Sequence, residues 1–592
     1  MGAKTGARGG ALEPDFDTWE YWWECNKNGY LRQLEGQLPT VTGSDDFYLG
    51  ATRRSEAVDG LRPTRDDARN IVLPALKRAL DTTDQRDITS SCMVAMAKIG
   101  LDHPEFRLVD VFAARLSGAD QEVRETAALS MGIAASADDR ALELLAGLAV
   151  DDAVGRTARG GEVDQRTRAY AAYGLGLTAH HHARLAVQQR IFAVFRQLLG
   201  SDARAGRDVC IAAIHGVGLL QLDERSHGAA RLRSEALELL AARFLEDRGG
   251  GDEIVQAHCP TAIARLTGRD AVLAKPHLTR FVGVLGDTTR RRGNAIAQSC
   301  ALALGQMAAP NDGPDSRDAD VAAALLATSH LHADRLTQHF ALIALARIGG
   351  AANREALLCE FDDARRSQRL PWCALALGVF EHERCRRSPG AEPDAFLAAT
   401  LHDALLAAKE PGLVGALGIA IGLSRATGSA DLLCERLKDG IAKETMAGYL
   451  AIGLSLLQDR RAVEDLRQVL REAERRPDLL VRVAIALGRL GDLATAEELL
   501  QSMTRSDANL AKVAALAAAI SQIGDRRSIK PLVAMLRDES LGGLARGFAA
   551  VALGGVCDRL PVPWNAPIGA DINYRATVPT LSDQVAGVLD IL

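Results

Sequence analysis

Cys359, Cys373, His382 and Cys385 carry the most metal-like chemistry in this chain, because thiolates and an imidazole together suit zinc. Their spacing forms no tight CxxC knuckle, and Cys373 falls inside an alanine-rich helical run, so buried thiols are the expectation. His180, His181 and His182 close a helical stretch, either in a solvated loop or at a helix C-terminus, where positive charge is favoured. Arg290, Arg291 and Arg292 form a basic loop that could hold an anion or an acidic partner. The stretch GRTARGGE at 155–162 lacks the GKS or GKT ending that places a lysine and a hydroxyl on phosphates and magnesium, and no strand precedes it. No serine, histidine and acid arrangement or reactive-cysteine motif emerges. The expectation is a noncatalytic chain with no cofactor and no bound metal.

The elements around these residues recur. Small-residue stretches end at Gly453, Gly488, Ser521 and Gly554, giving a period of about 33 to 35 residues. Equivalent positions run backwards through Gly422, Gly378, Ala346, Gly305, Gly218, Gly176, Gly132 and Ala97, at intervals of roughly 30 to 50 residues where loops are inserted. In the unit at 121–149, Val123, Ala127, Ala128 and Met131 share one helical face. After a turn at Asp138 and Asp139, Ala141, Leu144, Leu145 and Leu148 repeat the pattern. Each unit is therefore a helix pair. The small residues let backbones approach closely, and the periodic glycines are expected to supply positive φ at helix ends. One such pair cannot bury its apolar face, so the pairs must stack into an elongated α-solenoid with a long concave surface.

VRETAALSMG at 123–132, echoed by TRAYAAYGLG at 167–176, resembles the HEAT repeat, in the short bacterial form shared with phycobilisome lyases. DTWEYWWECNKNGYL at 17–31, SDDFYLG at 44–50 and PWNAPIGADINYRA at 563–576 are similar to the ends of large HEAT-repeat proteins of planctomycete-type bacteria, a family without an established activity. The resemblance implies an all-α solenoid of roughly a dozen helix pairs. It implies little about activity, because one fold hosts many functions. Iron-dependent HEAT-repeat hydroxylases acting on deoxyhypusine carry several His-Glu pairs, whereas His382 and Glu383 are the only one here. Alkylpurine glycosylases of related fold use a strongly basic groove, which the acidic balance opposes. Bilin lyases share the short repeat but need a phycobiliprotein partner, and no tetrapyrrole pocket motif stands out. A lyase of that type or a metal-dependent hydroxylase is the alternative to a noncatalytic scaffold.

Net charge is −6, and acidic and basic residues alternate along most helices, which argues against a nucleic-acid groove. The longest apolar stretch, 412–423, is far short of the roughly 20 residues that span a bilayer, so no membrane insertion is expected. Ten cysteines lie scattered without paired spacing, which favours reduced thiols and a cytoplasmic location, although relatives of this type can carry export signals.

Four regions follow: a disordered lead at 1–15, an N-terminal cap at 16–60, the solenoid at 61–560 and an extended C-terminal tail at 561–592. Trp19, Trp22 and Trp23 share one helical face, which either covers the open end of the first repeat or forms an aromatic docking patch. Pro561, Pro563 and Pro567 forbid a regular helix in the tail. Beyond them Ile572, Tyr574, Ala576 and Val578 alternate with Asp571, Asn573, Arg575 and Thr577, so the segment should be extended and dock on the last repeats. The reading is a protein-binding scaffold, its partner unidentified, contacted along the concave face through polar inner-helix positions such as Arg124, Glu125, Arg168 and Tyr170.

Overall fold

The computed structural model describes residues 16–31 and 62–591, apart from 137, 201–204, 224, 247–251, 288–292, 474, 493, 504–509 and 584–586. The lead at 1–15, the cap beyond residue 31, including SDDFYLG, and the basic triplet Arg290, Arg291 and Arg292 lie outside the described residues.

Helix pairs form where the sequence places them, and aspartates start many of the helices. Asp120, Asp164 and Asp334 each accept a hydrogen bond from the backbone N–H three residues on, satisfying a donor that the helix leaves open. The periodic glycines play a different part from the one their spacing suggested. Gly453, Gly488 and Gly554 lie inside helices, and positive φ falls instead on residues such as Gln458, Gly491 and Gly524 just beyond helix ends. What the internal glycines provide is contact. A Cβ at Gly305 would lie 2.7 Å from the Ala344 Cα, and one at Gly378 would lie 2.6 Å from the Ala420 Cα.

These contacts join one layer of helices. Among the described residues its members are Arg86–Ile99, Gln121–Ile133, Gln165–His181, Arg207–Gly218, Cys259–Thr267, Asn294–Met307, Arg335–Ile348, Leu370–Arg387, Pro411–Leu423, Glu444–Leu456, Pro477–Arg489, Leu510–Ile523 and Gly543–Val556. Each packs on the next, and the last packs on the first. The solenoid is a closed ring.

At the seam, a Cβ on Gly554 would lie 2.6 Å from the Ala95 Cα, the Arg559 N–H donates to the Lys98 carbonyl at 3.3 Å, and Arg526 pairs with Asp67 at 2.7 Å. The expected elongated particle with two open ends is therefore corrected. Alanine and glycine bring the inner helices together, while leucine-rich helices such as Val463–Glu472 bury only one face in the outer layer. This wedge turns the chain about 28° per pair, and thirteen pairs complete the circle.

The seam gives a test of closure. Gly554→Val should crowd backbone rather than a flexible side chain and lower stability by about 1–3 kcal/mol. A thermal melt within a degree of the parent would contradict the seam.

Thirteen helices about 9–10 Å apart give a ring about 20 Å in radius to the helix axes. Subtracting about 5 Å for the half-width of a helix leaves a bore wide enough for one helix beside an irregular segment. The two chain ends supply them. Helix Trp19–Leu31 and the described tail residues, 559–583 and 587–591, enter the bore, where Trp19, Trp22, Trp23, Trp564, Ile568, Ile572, Tyr574 and Val578 are buried.

The aromatic face is thus neither a lid on the first repeat nor an exposed docking patch. The Trp19 ring stacks at a tilt on Tyr449, 4.7 Å between centroids, and the Trp372 indole donates to the Asp17 carbonyl at 3.0 Å. The tail has turns and one short helix, Ala566–Gly569, rather than a continuous extended run. It also docks elsewhere than on the last repeats, reaching inner helices between Arg207 and Ile348.

Candidate functional site: the filled centre of the ring

Polar side chains of the inner helices hold the tail by its backbone. His258 Nε2 bonds the Ala576 carbonyl at 2.6 Å, Thr261 Oγ1 donates to the Asp571 carbonyl at 3.2 Å, and Arg265 donates to the Ile568 carbonyl at 3.2 Å and to that of Ala570. Asp208 accepts from the Thr580 hydroxyl at 2.9 Å and from its N–H at 3.3 Å. Asn573, expected to face outwards, is buried and donates to the Ala295 carbonyl at 2.8 Å, with Gln298 and Ser299 within 3.1 Å of its amide nitrogen. The two ends also hold each other: the Asp571 N–H donates to Asn26 Oδ1 at 3.0 Å, and the Tyr574 hydroxyl donates to the Phe16 carbonyl at 3.1 Å.

Two imidazoles extend this contact inwards. His215 Nε2 lies 3.0 Å from His258 Nδ1, and both rings are buried. If His258 Nε2–H donates to Ala576, its Nδ1 accepts from His215 Nε2–H, which fixes the His258 ring as neutral. Burial lowers the His258 pKa to about 4 and holds His215 well below the ordinary range, with His258 adding to the effect. The N-terminal helix contributes an ionic contact. Glu24 pairs with Lys27 and lies 3.2 Å from both the Tyr449 hydroxyl and Arg482, in a cluster where burial is outweighed by the cations, so its pKa falls to about 2.

The candidate partner residues lie within this framework rather than on an open groove. Arg124 donates to the Gly118 and Ala119 carbonyls at 2.9 and 2.7 Å. Glu125 accepts two hydrogen bonds from Arg166, at 2.9 and 3.1 Å, and Arg168 donates to the Ala149 carbonyl at 3.0 Å. Tyr170 is buried, with the Arg166 guanidinium over its ring. These side chains link neighbouring repeats and cap helix ends.

The metal-like residues do not converge. Cys359 is exposed on helix Ala351–Asp363, Cys373 and Cys385 are buried, and His382 packs edge-on against Tyr30. Burial pushes the Cys373 thiol up to about 12. Among the described residues no group of three or more histidine, cysteine or acidic side chains could hold a metal ion. His180 and His181 end helix Gln165–His181, but burial and then His180 lower the His181 pKa to about 4, so this helix end does not favour a charged imidazole there. Among the described residues no helix is long and apolar enough to cross a membrane.

Sequence reasoning missed the tail-holding set of Asp208, His215, His258, Thr261 and Arg265. Their one signal was a polar residue recurring inside alanine-rich runs, and it acquires meaning only once the tail is placed opposite.

No family model and no curated protein sequence matches the chain. Among solved structures, it is similar to Kap121p bound to Pho4p, at 11% identity and a TM-score of 0.35, over 89% of this chain and 56% of that one. Importin beta gives 10% identity and a TM-score of 0.30 over 84% and 78% of the two chains. An engineered protein gives 16% and 0.24 over 70% and 98%. The chain thus spans about half the length of Kap121p, and likenesses this distant carry no argument about what the protein does.

Proposed function

We propose that the protein is a noncatalytic protein-binding scaffold whose contact surface is the outside of the ring. The concave face is filled by the chain's own ends, so a partner on that face would have to displace them. The observation that carries the proposal is the distribution of exposed large apolar side chains. Of the seven exposed large apolar side chains among the described residues, Leu245, Val272, Leu331, Phe396 and Leu406 stand out from outer-layer helices between residues 227 and 407, with Leu331 83% exposed and Phe396 63%; the other two, Ile71 and Leu544, are less exposed. Three of them, Leu245, Leu331 and Leu406, lie at or next to the C-terminal ends of their helices, which places them along one edge of the ring. Exposed apolar side chains grouped along one edge mark a surface for a protein partner.

The test is affinity capture from the native organism with the full chain and with a Leu331→Glu, Leu406→Glu double variant. A protein retained by the parent should be retained at least about tenfold less by the variant. Equal capture by both would overturn the outer-edge reading.

A further inference from the structure

A cavity of about 640 Å³ opens beside the tail, where the C-terminal ends of three inner helices, Gln165–His181, Arg207–Gly218 and Cys259–Thr267, meet Pro567, Ala570 and Asp571. Its volume lies in the range of sites that hold small molecules. Its polar wall is mainly cationic: Arg233, Arg265 and Arg269 line it, with His180 and Gln221 beside them.

Two carboxylates share the lining, and both are engaged. Asp571 pairs with Arg347, which approaches from helix Arg335–Ile348, outside the cavity wall. Asp270 caps helix Ala271–Leu285, accepting from the Val272 and Leu273 N–H groups at 2.9 Å each.

Arg233 donates to the Leu222 carbonyl at 2.6 Å and Arg265 holds the two tail carbonyls, so both have a part in the fold; Arg269 exceeds what the fold requires. Arg269 donates to the Arg347 carbonyl at 2.6 Å and the Ile348 carbonyl at 3.5 Å, closing the end of helix Arg335–Ile348. Arg387 donates to the same two carbonyls, at 2.9 Å to Ile348. One guanidinium would cap this helix end, yet two are held against it. The pair repels: burial and then Arg387 lower the Arg269 pKa to about 10. Of the two, Arg269 is the one that lines the cavity. A positive charge that the helix end does not need, set in a ligand-sized cavity whose carboxylates are engaged, calls for an anion.

The geometry points to a binding site for a small organic phosphate, seated on the Arg265 and Arg269 guanidiniums at the junction of ring and tail. A monocarboxylate is satisfied by a single arginine fork, whereas a phosphate dianion uses two. His180 and Gln221 would face the remainder of the ligand. Because Pro567, Ala570 and Asp571 form part of the wall, an occupied site would tie the tail more firmly to the inner helices.

The full chain should be titrated with pyrophosphate, AMP, ADP and ATP, with inorganic phosphate, citrate and sulfate at matched ionic strength as comparators, following both heat of binding and thermal unfolding. At least one organic phosphate or pyrophosphate should bind saturably and raise the melting temperature by several degrees, as a ligand of the folded state must. Arg269→Gln should weaken that binding at least about tenfold while leaving the unliganded melt nearly unchanged, because Arg387 still closes the helix end. Arg387→Gln should keep the binding. Should Arg269→Gln fail to fold, Gln221→Glu puts a carboxylate on the exposed rim and should weaken binding to a similar degree. No saturable binding of any phosphate, an equal response to sulfate, or affinity unchanged in Arg269→Gln or Gln221→Glu would overturn the site. Binding of a phosphopeptide but of no small phosphate would overturn the ligand class.

Discussion

Deleting residues 561–592 is expected to remove the stable fold rather than trim it. The deletion withdraws Trp564, Ile568, Ile572, Tyr574, Val578 and Leu581 from the centre of the ring, all of them buried. At about 2 kcal/mol for each large apolar side chain, the lost burial is on the order of 10 kcal/mol before chain ordering is counted. The loss is compounded on the inner helices, where His258, Thr261, Arg265 and Asp208 would face an open bore without the groups they now bond. Truncated protein should bind a hydrophobic dye, melt at least ten degrees earlier and aggregate. Residues 16–31 would lose support as well, since Asn26 and the Phe16 carbonyl both bond the tail. A truncated chain that melts like the parent would show that the tail does not belong to the core.

Acid should destabilise the protein steeply. His258, His339 and His382 are held neutral, each with its pKa lowered to about 4, chiefly by burial. Between the unfolded value near 6.5 and the folded value near 4, the unfolded chain takes up protons that the folded chain refuses, so stability falls with pH across that window and the loss levels off below it. For His258 and His339, both almost fully buried, the effect is roughly 3 kcal/mol each. A protonated His258 would also set an N–H against that of His215, with the Arg265 cation nearby. Asp558 works in the opposite sense. Its pKa is raised to about 6 by burial, so it favours the folded state at low pH and loses that contribution as pH rises through 6. One carboxyl group does not offset several imidazoles. The melting temperature should drop by ten degrees or more between pH 7 and pH 4.5, and His258→Gln should flatten part of the slope. A melt independent of pH over that range would mean that these rings are not buried as neutral groups.

How far the fold could be read before the structure follows from the range of the interactions involved. The helix pairs were legible because Ala127, Ala128 and Met131, or Leu144, Leu145 and Leu148, express helical periodicity locally. Closure was not legible, because it depends on a turn of about 28° per pair summed over the whole array, and small errors in each step decide between an arc and a circle. The aromatic face of Trp19, Trp22 and Trp23 announced burial, but a stripe on one helix does not name the surface that covers it. In the tail, alternation placed Ile572, Tyr574, Ala576 and Val578 correctly inside and Asn573 wrongly outside, since Gln298 and Ser299 await it from residues more than 270 positions away.

Arg124 and Arg168 occupy positions that serve equally well for a partner or for the next repeat. The carbonyls they bond give them a part within the repeats, and those become visible only in three dimensions. The phosphate cavity is assembled from five separate stretches of chain, none of which carries a local signature.

Closure of the ring around the chain's own ends is the central claim, and small-angle X-ray scattering of the full chain tests it most directly. A compact particle of 592 residues has a radius of gyration of about 25 Å, and the filled ring should give about 25–28 Å. Thirteen pairs stacked as an open array at about 10 Å each would form a particle about 130 Å long, with a radius of gyration of about 38 Å. The lower value, with a pair-distance distribution that ends well short of 130 Å, is the predicted result. The higher value would contradict the ring.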